Sequence, residues 1–524
     1  MSQAVPLTRY PSPIRGVVSH TSPLAAYLSR MASAGRTLSP GFVAYLASLE
    51  QISAVSPEVA KAIVTELADQ RGNLKMIASE NFCSLAVQLA QGNLFTDKYA
   101  EGVPYHRFYA GCDNVDTIES LAAFLACGLF GADHAYVQPH SGADANLVAY
   151  WAILSARVEA PLLEKMGQTD VSAFSEAEWA RVRTALGNQR LLGMDYYSGG
   201  HLTHGYRHNV SAQIFQARSY SVNPDTYRID YDDIRAQAKE FKPLILLAGY
   251  SAYPRKINFR IFKEIADEVG AVLMVDMAHF AGLVAGKVFT GDYDTVAHAD
   301  VVTTTTHKTL RGPRGGMVLC KKAFADYVDK GCPMVLGGPI PTAIAAKAVA
   351  FQEASADAYR DYAHRIAENA AALAESCRQA GMTVLTGGTD NHLLLIDVTP
   401  FGLTGRQAES AVREARITLN RNALPFDKNG PWYTSGLRVG APALTTLGMG
   451  KDEMREIAAV LKRILSSTRP ASIGKGEKSR GQSKSRYHID PDALEEARSR
   501  VADLLVRFPL YPELDLDVLQ EAFA

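Results

Sequence analysis

The first forty-nine residues contain no aspartate, glutamate or lysine. Their only charges are Arg9, Arg15, Arg30 and Arg36, set among serine and alanine. Such a composition suits an organellar transit peptide, and equally an arm that packs on the body of the protein or on a partner. Leu24, Tyr27, Leu28 and Met31 fall at helical spacing, so a short docking helix is the expectation. No compact apolar stretch follows the first arginines, which excludes a secretory signal. Nowhere does an unbroken apolar run approach the ~18–20 residues of a membrane span, so no membrane partner is expected. Cysteine is scarce: six in 524 residues, none in a CxxC pair. That excludes a disulfide framework and a cysteine zinc site, and points to a reducing compartment. No metal site is expected. Charge of one sign is not in excess either, with 54 Lys+Arg against 55 Asp+Glu. A globally basic nucleic-acid binder is thereby excluded, which leaves only a local basic patch.

One such patch exists. Residues 466–486 hold six basic residues, one glutamate, and many serines and glycines. They read as a solvated, flexible excursion rather than a nucleic-acid contact. Beyond them Leu494, Ala497, Val501, Leu504 and Leu505 return to helical steps.

The middle of the chain alternates strand and helix. A helix over 116–130 opens with Asp116 and Glu119, spaced as a capping box, and Gly131 stands where a helix-ending glycine belongs. A strand at 135–138 leads through PHSGAD into an apolar helix from about 143 to 153. The runs 244–250, 271–276 and 299–306 are continuously apolar or β-branched, as strands covered on both faces are. Alternation of this kind predicts an α/β fold with a mostly parallel sheet, whose ligands bind beyond the strands' carboxyl ends. Asp276, His279, His307 and Lys308 all fall just past such ends. Residues 391–465 repeat the theme on a smaller scale, as strand, helix, strand, helix.

Three features carry chemistry. Lys308, in TTTTHKTLRGPRGG, follows a buried strand and precedes glycines that let the backbone turn tightly; a partly desolvated lysine can form a Schiff base with an aldehyde cofactor. Asp276 ends an apolar strand, where a carboxylate needs a positive partner or hydrogen bonds; it could keep a pyridine nitrogen protonated. Ser141 and Gly142 open a helix, where amides, a hydroxyl and the helix dipole suit an anion. Cradle, carboxylate and lysine, in that order along one α/β domain, suggest a pyridoxal-phosphate enzyme.

At this point the chain resembles the serine hydroxymethyltransferases, over roughly residues 70–465 and the final helix. The resembling stretches include NLKMIASEN (73–81), DKYAEG (97–102), QPHSG (138–142), GGHLTHG (199–205), YSAYPR (250–255), VDMAHFAGL (275–283), TTTTHKTLRGPRGG (303–316) and TSGLRVGAPA (434–443). The resemblance implies the aspartate-aminotransferase fold type: a three-layer αβα large domain with a mostly parallel sheet, plus a smaller α+β C-terminal domain. The corresponding boundaries are 1–70 for arm and helices, 71–350 for the large domain and 351–524 for the small one. It also implies the interconversion of serine plus tetrahydrofolate with glycine plus 5,10-methylenetetrahydrofolate. The setting would be the cytoplasm, or an organelle if residues 1–49 are a transit peptide. The assembly would be a homodimer with shared sites, or a tetramer of such dimers.

Roles carry over position by position. Lys308 would hold pyridoxal phosphate, Asp276 its ring nitrogen, and Ser141, Gly142 and Gly338 its phosphate, the last from the other subunit. His201 would stack on the ring, with Ser251 and His279 near its phenolic oxygen. Arg438 would bind the substrate carboxylate with Ser79 alongside, and His307 would affect reaction specificity. Glu101, Tyr99 and Tyr109 would manage protons and substrate, with Tyr99 acting across the dimer interface. Tyr196, Gly200, His201, Leu202 and Asn422 would contact folate.

The chain departs from the family pattern at Ala143-Asp144, Phe108, Leu336 and Phe426, and the segment between Trp151 and Asp195 is long. These departures imply weaker folate binding and folate-independent side reactions. A folate-independent aldolase or racemase of β-hydroxy amino acids is the rival within the same chemistry. A scaffold or RNA-binding protein using the 466–486 stretch is the rival outside it.

Overall fold

The computed structural model describes residues 22–168, 171–473 and 481–524. Residues 1–21, with Arg9 and Arg15, and residues 474–480 of the basic stretch lie outside the described residues. The chain forms two compact units, one of residues up to 72 together with 509–524, the other of residues 73–508.

In the first unit the expected docking helix is present as Pro23–Ser33. Ser22 caps it, and Tyr27 is its buried residue, edge-on to Phe42. Helices Pro40–Ser53 and Pro57–Gly72 follow. The C-terminal helix Leu516–Phe523 packs on the latter. Arg71 donates to the carbonyls of Leu510, Tyr511 and Leu514, tying the chain's last stretch to this helix.

The second unit is built on a seven-stranded sheet. In chain order its strands are β1 His134–Tyr136, β2 Arg190–Met194, β3 Gln216–Tyr220, β4 Ile245–Gly249, β5 Val272–Asp276, β6 Val301–Thr305 and β7 Gly316–Cys320. Their spatial order is β1-β7-β6-β5-β4-β2-β3. Only β7 runs antiparallel to its neighbours. Strand side chains alternate between two separate cores. Leu246, Ala248, Leu273 and Val275 enter one, while Ile245, Leu247, Val272 and Met274 enter the other. Period-two alternation of uniformly apolar strands requires cover on both faces, and helices supply it, giving the expected α/β class. A four-stranded antiparallel sheet, β8 Thr383–Val384, β9 Leu393–Asp397, β10 Asn420–Asn422 and β11 Gly436–Gly440, lies in the order β8-β9-β11-β10 and has its own apolar core.

Two local expectations change. The helix expected at 116–130 begins at Asp113, and no side chain caps it. Gly131 does end it, at φ 71°. Asp116 and Glu119 are instead held by Arg107, at 2.8 and 2.7 Å. A paired, buried cation outweighs a cap that the first turn can draw from water. The basic stretch is not simply an excursion. Thr468–Ser472 and Gln482–Ile489 form an antiparallel pair. Gln407 Nε2 donates to the carbonyls of Ser483 and Arg486, and Thr404 Oγ1 to that of Lys484. Backbone pairing organises the flanks of a segment that composition alone marks as solvated. No helix among the described residues is long and apolar enough to cross a membrane.

Arg107 also donates to the carbonyls of Ala100 and Gly102, so it locks the hairpin Gly102–Arg107 onto the helix. Its side chain and that of Glu119 are each 3% exposed. Arg107→Ala would strand two buried carboxylates and is expected to cost about 3–5 kcal/mol. Urea unfolding measures this; a cost under about 1 kcal/mol would refute the assignment.

Candidate active site

The carboxyl ends of the parallel strands converge on one cavity of about 470 Å³. Loops after β2, β4, β5 and β6 bring Tyr196, Gly200, His201, Leu202, Ser251, His279, His307 and Lys308 to its wall. Ser79 reaches it because Met76 O accepts the N–H of Gly440 at the end of β11, and strands β10 and β11 contribute Asn422 and Arg438. Eleven of the residues singled out from the sequence thus share one cavity. Asp276 lies behind the wall, within 4.8 Å of ligand-type atoms of His201 and His204.

Asp276 is the most elaborately held of these groups. Oδ1 accepts the N–H of Ala278 at 3.0 Å. Oδ2 accepts from Asn146 Nδ2 at 3.0 Å and from His204 Nε2 at 3.2 Å. The His204 tautomer follows from its other side: Nδ1 accepts the N–H of His201, so the proton resides on Nε2. Burial by itself would raise the carboxyl pKa, but hydrogen bonding from His204 and the neighbouring imidazoles and Asn146 hold it well below the usual carboxylate range. Asp276 is therefore an ionised carboxylate inside the protein. Gly249, beside it at φ 124°, must be glycine, since a Cβ there would stand 2.1 Å from Asp276 O.

The bases around it are neutral. Burial, reinforced by His204, lowers His201 to about 4. Its Nδ1 accepts the N–H of Thr203. Burial also lowers His307 to about 3, and its Nδ1 has no partner among the described residues. His279 is pushed well below its ordinary value and touches His392, itself lowered to about 3. Lys308 falls to about 8, chiefly through burial, with Arg438 and Arg314 adding to it and Asp276 opposing. A lysine poised near neutrality is a nucleophile rather than a mere surface cation. Arg438 remains a cation, lowered only to about 10 by burial. Nε donates to Asn420 and Nη1 to Ser251 O, which aims the fork and leaves Nη2 without a protein acceptor among the described residues.

Ser141 and Gly142 stand apart from this cavity's wall but adjoin the end of β6. Ser141 caps the helix Gly142–Leu154 and its hydroxyl also donates to Asp144 Oδ2. The approach is tight: a Cβ on Gly142 would lie 2.7 Å from Thr305 Cγ2, and one on Gly316 would lie 2.2 Å from Ser141 O. Tyr99, Glu101 and Tyr109 are not on the cavity wall of their own chain. They cluster on an exposed surface, with Glu101 accepting from Tyr99 at 3.1 Å and Tyr109 at 3.3 Å. Gly338 lies against the Tyr99 ring.

Sequence reasoning missed several residues. His204 was visible within GGHLTHG. Asn146 and Asn420 left no signal, because only folding places their amides beside Asp276 and Arg438. Lys347 is fully buried in the helix Pro341–Ala354, and its ammonium donates to the carbonyls of Val137, Pro139 and Gly316 at 2.6, 3.0 and 2.8 Å. It pins the loop that carries Ser141. Its one available signal was a single lysine in the apolar stretch AIAAKAVAF.

A buried ionised carboxylate, a lowered lysine and a cationic fork at the carboxyl edge of a parallel sheet define an α/β enzyme of the aspartate-aminotransferase fold type. A sequence model described as serine hydroxymethyltransferase matches residues 52–163 and 169–461. Among similar proteins, the serine hydroxymethyltransferase of Treponema pallidum is 60% identical over 96% of this chain and 87% of its own length. That of Salinispora tropica is 58% identical over 90% and 98%, and that of Chlamydia trachomatis serovar D 52% over 91% and 95%. The chain belongs to the serine hydroxymethyltransferase family.

The lowered Lys308 has a measurable consequence. In unfolded chain lysine titrates near 10.4, so between pH 8 and about 10.4 the unfolded state holds more protons and stability rises with pH. Protein stripped of bound small molecules should therefore gain stability at pH 7 on Lys308→Met, on the order of 3 kcal/mol, and lose that advantage by about pH 10. Urea unfolding of both proteins at several pH values tests it; a gap independent of pH would exclude a depressed lysine.

Proposed function

We propose that this chain interconverts serine plus tetrahydrofolate and glycine plus 5,10-methylenetetrahydrofolate, using pyridoxal phosphate in a cytoplasmic homodimer. The observation that carries the reading is the placement of Lys308 and Arg438 on one cavity, with the ionised Asp276 directly behind it. Pyridoxal phosphate, when bound, supplies an electron sink for the bond changes at the amino-acid α-carbon.

The residues fit that group. Lys308, lowered to about 8 and so partly in its free-base form near neutral pH, would hold the aldehyde carbon. Asp276, kept ionised, would retain a proton on the ring nitrogen. Ser141 and Gly142, at a helix N-terminus packed too closely for any side chain at Gly142, would take the phosphate. A neutral His201 brings an uncharged ring face to the cofactor. Nη2 of Arg438 would take the substrate carboxylate, with Ser79 nearby, and hold the amino acid in one orientation. His279 and Ser251 line the side where the phenolic oxygen would lie. His307, neutral and beside Lys308, would shape the reacting centre. Tyr196, Gly200, Leu202 and Asn422 form the outer wall where folate would enter.

Glu101, Tyr99, Tyr109 and Gly338 would serve the site of a second copy. The exposure of Tyr99 and Tyr109 in an isolated chain supports this, as do the exposed side chains of Leu94, Tyr105, Phe108 and Met334. An apolar surface of this kind is what a subunit interface covers.

In the assay with serine and tetrahydrofolate, Lys308→Ala is expected to abolish steady-state turnover. Glu101→Gln is expected to cripple it as a separate homodimer. Mixed under conditions of subunit exchange, the two variants should regain activity, because each heterodimer contains one intact site. No recovery despite proven exchange would refute sharing, and undiminished turnover by Lys308→Ala would refute the whole assignment.

The departures from the family pattern point to weaker folate binding. Phe108 is 66% exposed on the Glu101 hairpin and offers no hydroxyl. Phe426 adopts φ 61°, a conformation that asparagine tolerates better than phenylalanine. The Asp144 carboxylate accepts a hydrogen bond from the Ser141 hydroxyl beside the phosphate cradle, occupying its one donor. Phe108→Tyr should tighten tetrahydrofolate binding in the presence of glycine by a few-fold to about tenfold, as one added hydrogen bond allows. Direct titration decides it: an unchanged affinity clears Phe108 of the effect.

A further inference from the structure

A second cavity, of about 460 Å³, is lined by Arg228, Ile229, Tyr231, Tyr253, Arg255, Lys256, Tyr293 and Asp390. Its charges do not cancel. Asp390 is spent: Oδ1 accepts from Arg255 Nη1 at 2.8 Å and Oδ2 from the N–H of Lys256 at 3.3 Å. Arg255 is spent as well, since Nε and Nη2 donate to the hydroxyl and carbonyl of Thr386. Lys256 and Arg228 remain. Among the described residues neither has a carboxylate within ion-pair distance. The Lys256 ammonium is 5.3 Å from the ring centre of Phe289 and 5.5 Å from that of Tyr293, contacts that steady a cation without neutralising it. Two hydroxyls add donors. Tyr253 Oη accepts the N–H of Ile229 and Tyr231 Oη that of Asn258, so each keeps its own proton to give.

A concave site with two uncompensated cations, two hydroxyl protons and three tyrosine walls is complementary to a small dianion joined to a flat ring. We propose that this cavity binds a phosphate monoester carrying an aromatic base, of the nucleoside monophosphate class. The site is separate from the catalytic cavity but backs onto it. Ser251 and Ala252 line the first cavity, while Tyr253, Arg255 and Lys256 line the second. Ser251 O accepts Arg438 Nη1 on the catalytic side.

Calorimetric titration of the cofactor-loaded protein with adenosine monophosphate tests the proposal, the loaded state keeping the phosphate cradle filled. Saturable binding is expected, weakened about tenfold or more by Lys256→Ala and by Arg228→Ala, the second being an exposed position where folding is not at issue. Arg438→Ala should leave it unchanged. Inorganic phosphate should compete but bind at least about fivefold more weakly, because it cannot use the tyrosine walls. No saturation by ~10 mM, or binding lost in Arg438→Ala and kept in Lys256→Ala, would overturn the site. Equal affinity for phosphate and the nucleotide would overturn the aromatic part of the ligand class.

Discussion

The arrangement turns on a carboxylate placed where water cannot solvate it. Asp276 ends a strand whose side chains are all buried, and an uncompensated charge there would be expensive. Three donors from three places make it tolerable: Ala278 in the next turn, Asn146 from the helix after β1, and His204 from the loop after β2. Each donor is itself fixed. Asn146 also bonds Thr203 and accepts from Thr303 of β6, and His204 is oriented by the His201 amide. This buried charge is thus also the point at which two loops, a helix and a strand are tied to one another.

Around that anion the other titratable groups divide by sign. The imidazoles of His201, His279 and His307 are stripped of water and stay neutral, so they offer ring faces and lone pairs without adding positive charge. Lys308 is lowered enough to react, while Arg438 is lowered too little to lose its proton. One cavity therefore holds a permanent cation and an amine poised near neutrality, with a permanent anion directly behind its wall. In the proposed reaction that combination would separate binding of a carboxylate from covalent attachment of an aldehyde.

Two buried cations make the surroundings of the site rigid. Lys347 clamps the loop of Ser141 from beneath, and Arg107 clamps the hairpin of Glu101 and Tyr109 from the side. Gln138 joins the two regions, donating to Gly102 O and to Glu119. A buried polar chain of this kind fixes geometry because every member would be costly to leave unpaired. It carries the Tyr99–Glu101–Tyr109 cluster on a firm base.

Much of this was legible in the sequence. Continuous apolar runs marked β4, β5 and β6, because strands covered on both faces can tolerate little else. Lys308, Asp276, His279 and His307 were legible because chemistry at a parallel sheet gathers where the strands end. Family resemblance supplied Arg438, His201 and Ser251, whose spacing alone says nothing. Only the tertiary structure decided that Asp116 and Glu119 serve Arg107 instead of a helix end, and that the flanks of the basic stretch pair as strands. Only it revealed Asn146, Asn420 and Lys347 as supports, and the cationic cavity around Lys256. The physical reason is common to all of these. Periodicity and turn chemistry are local and can be read along the chain. The partner of a buried charge or a spare amide is set by which distant residues the fold brings within 3 Å, and no spacing encodes that.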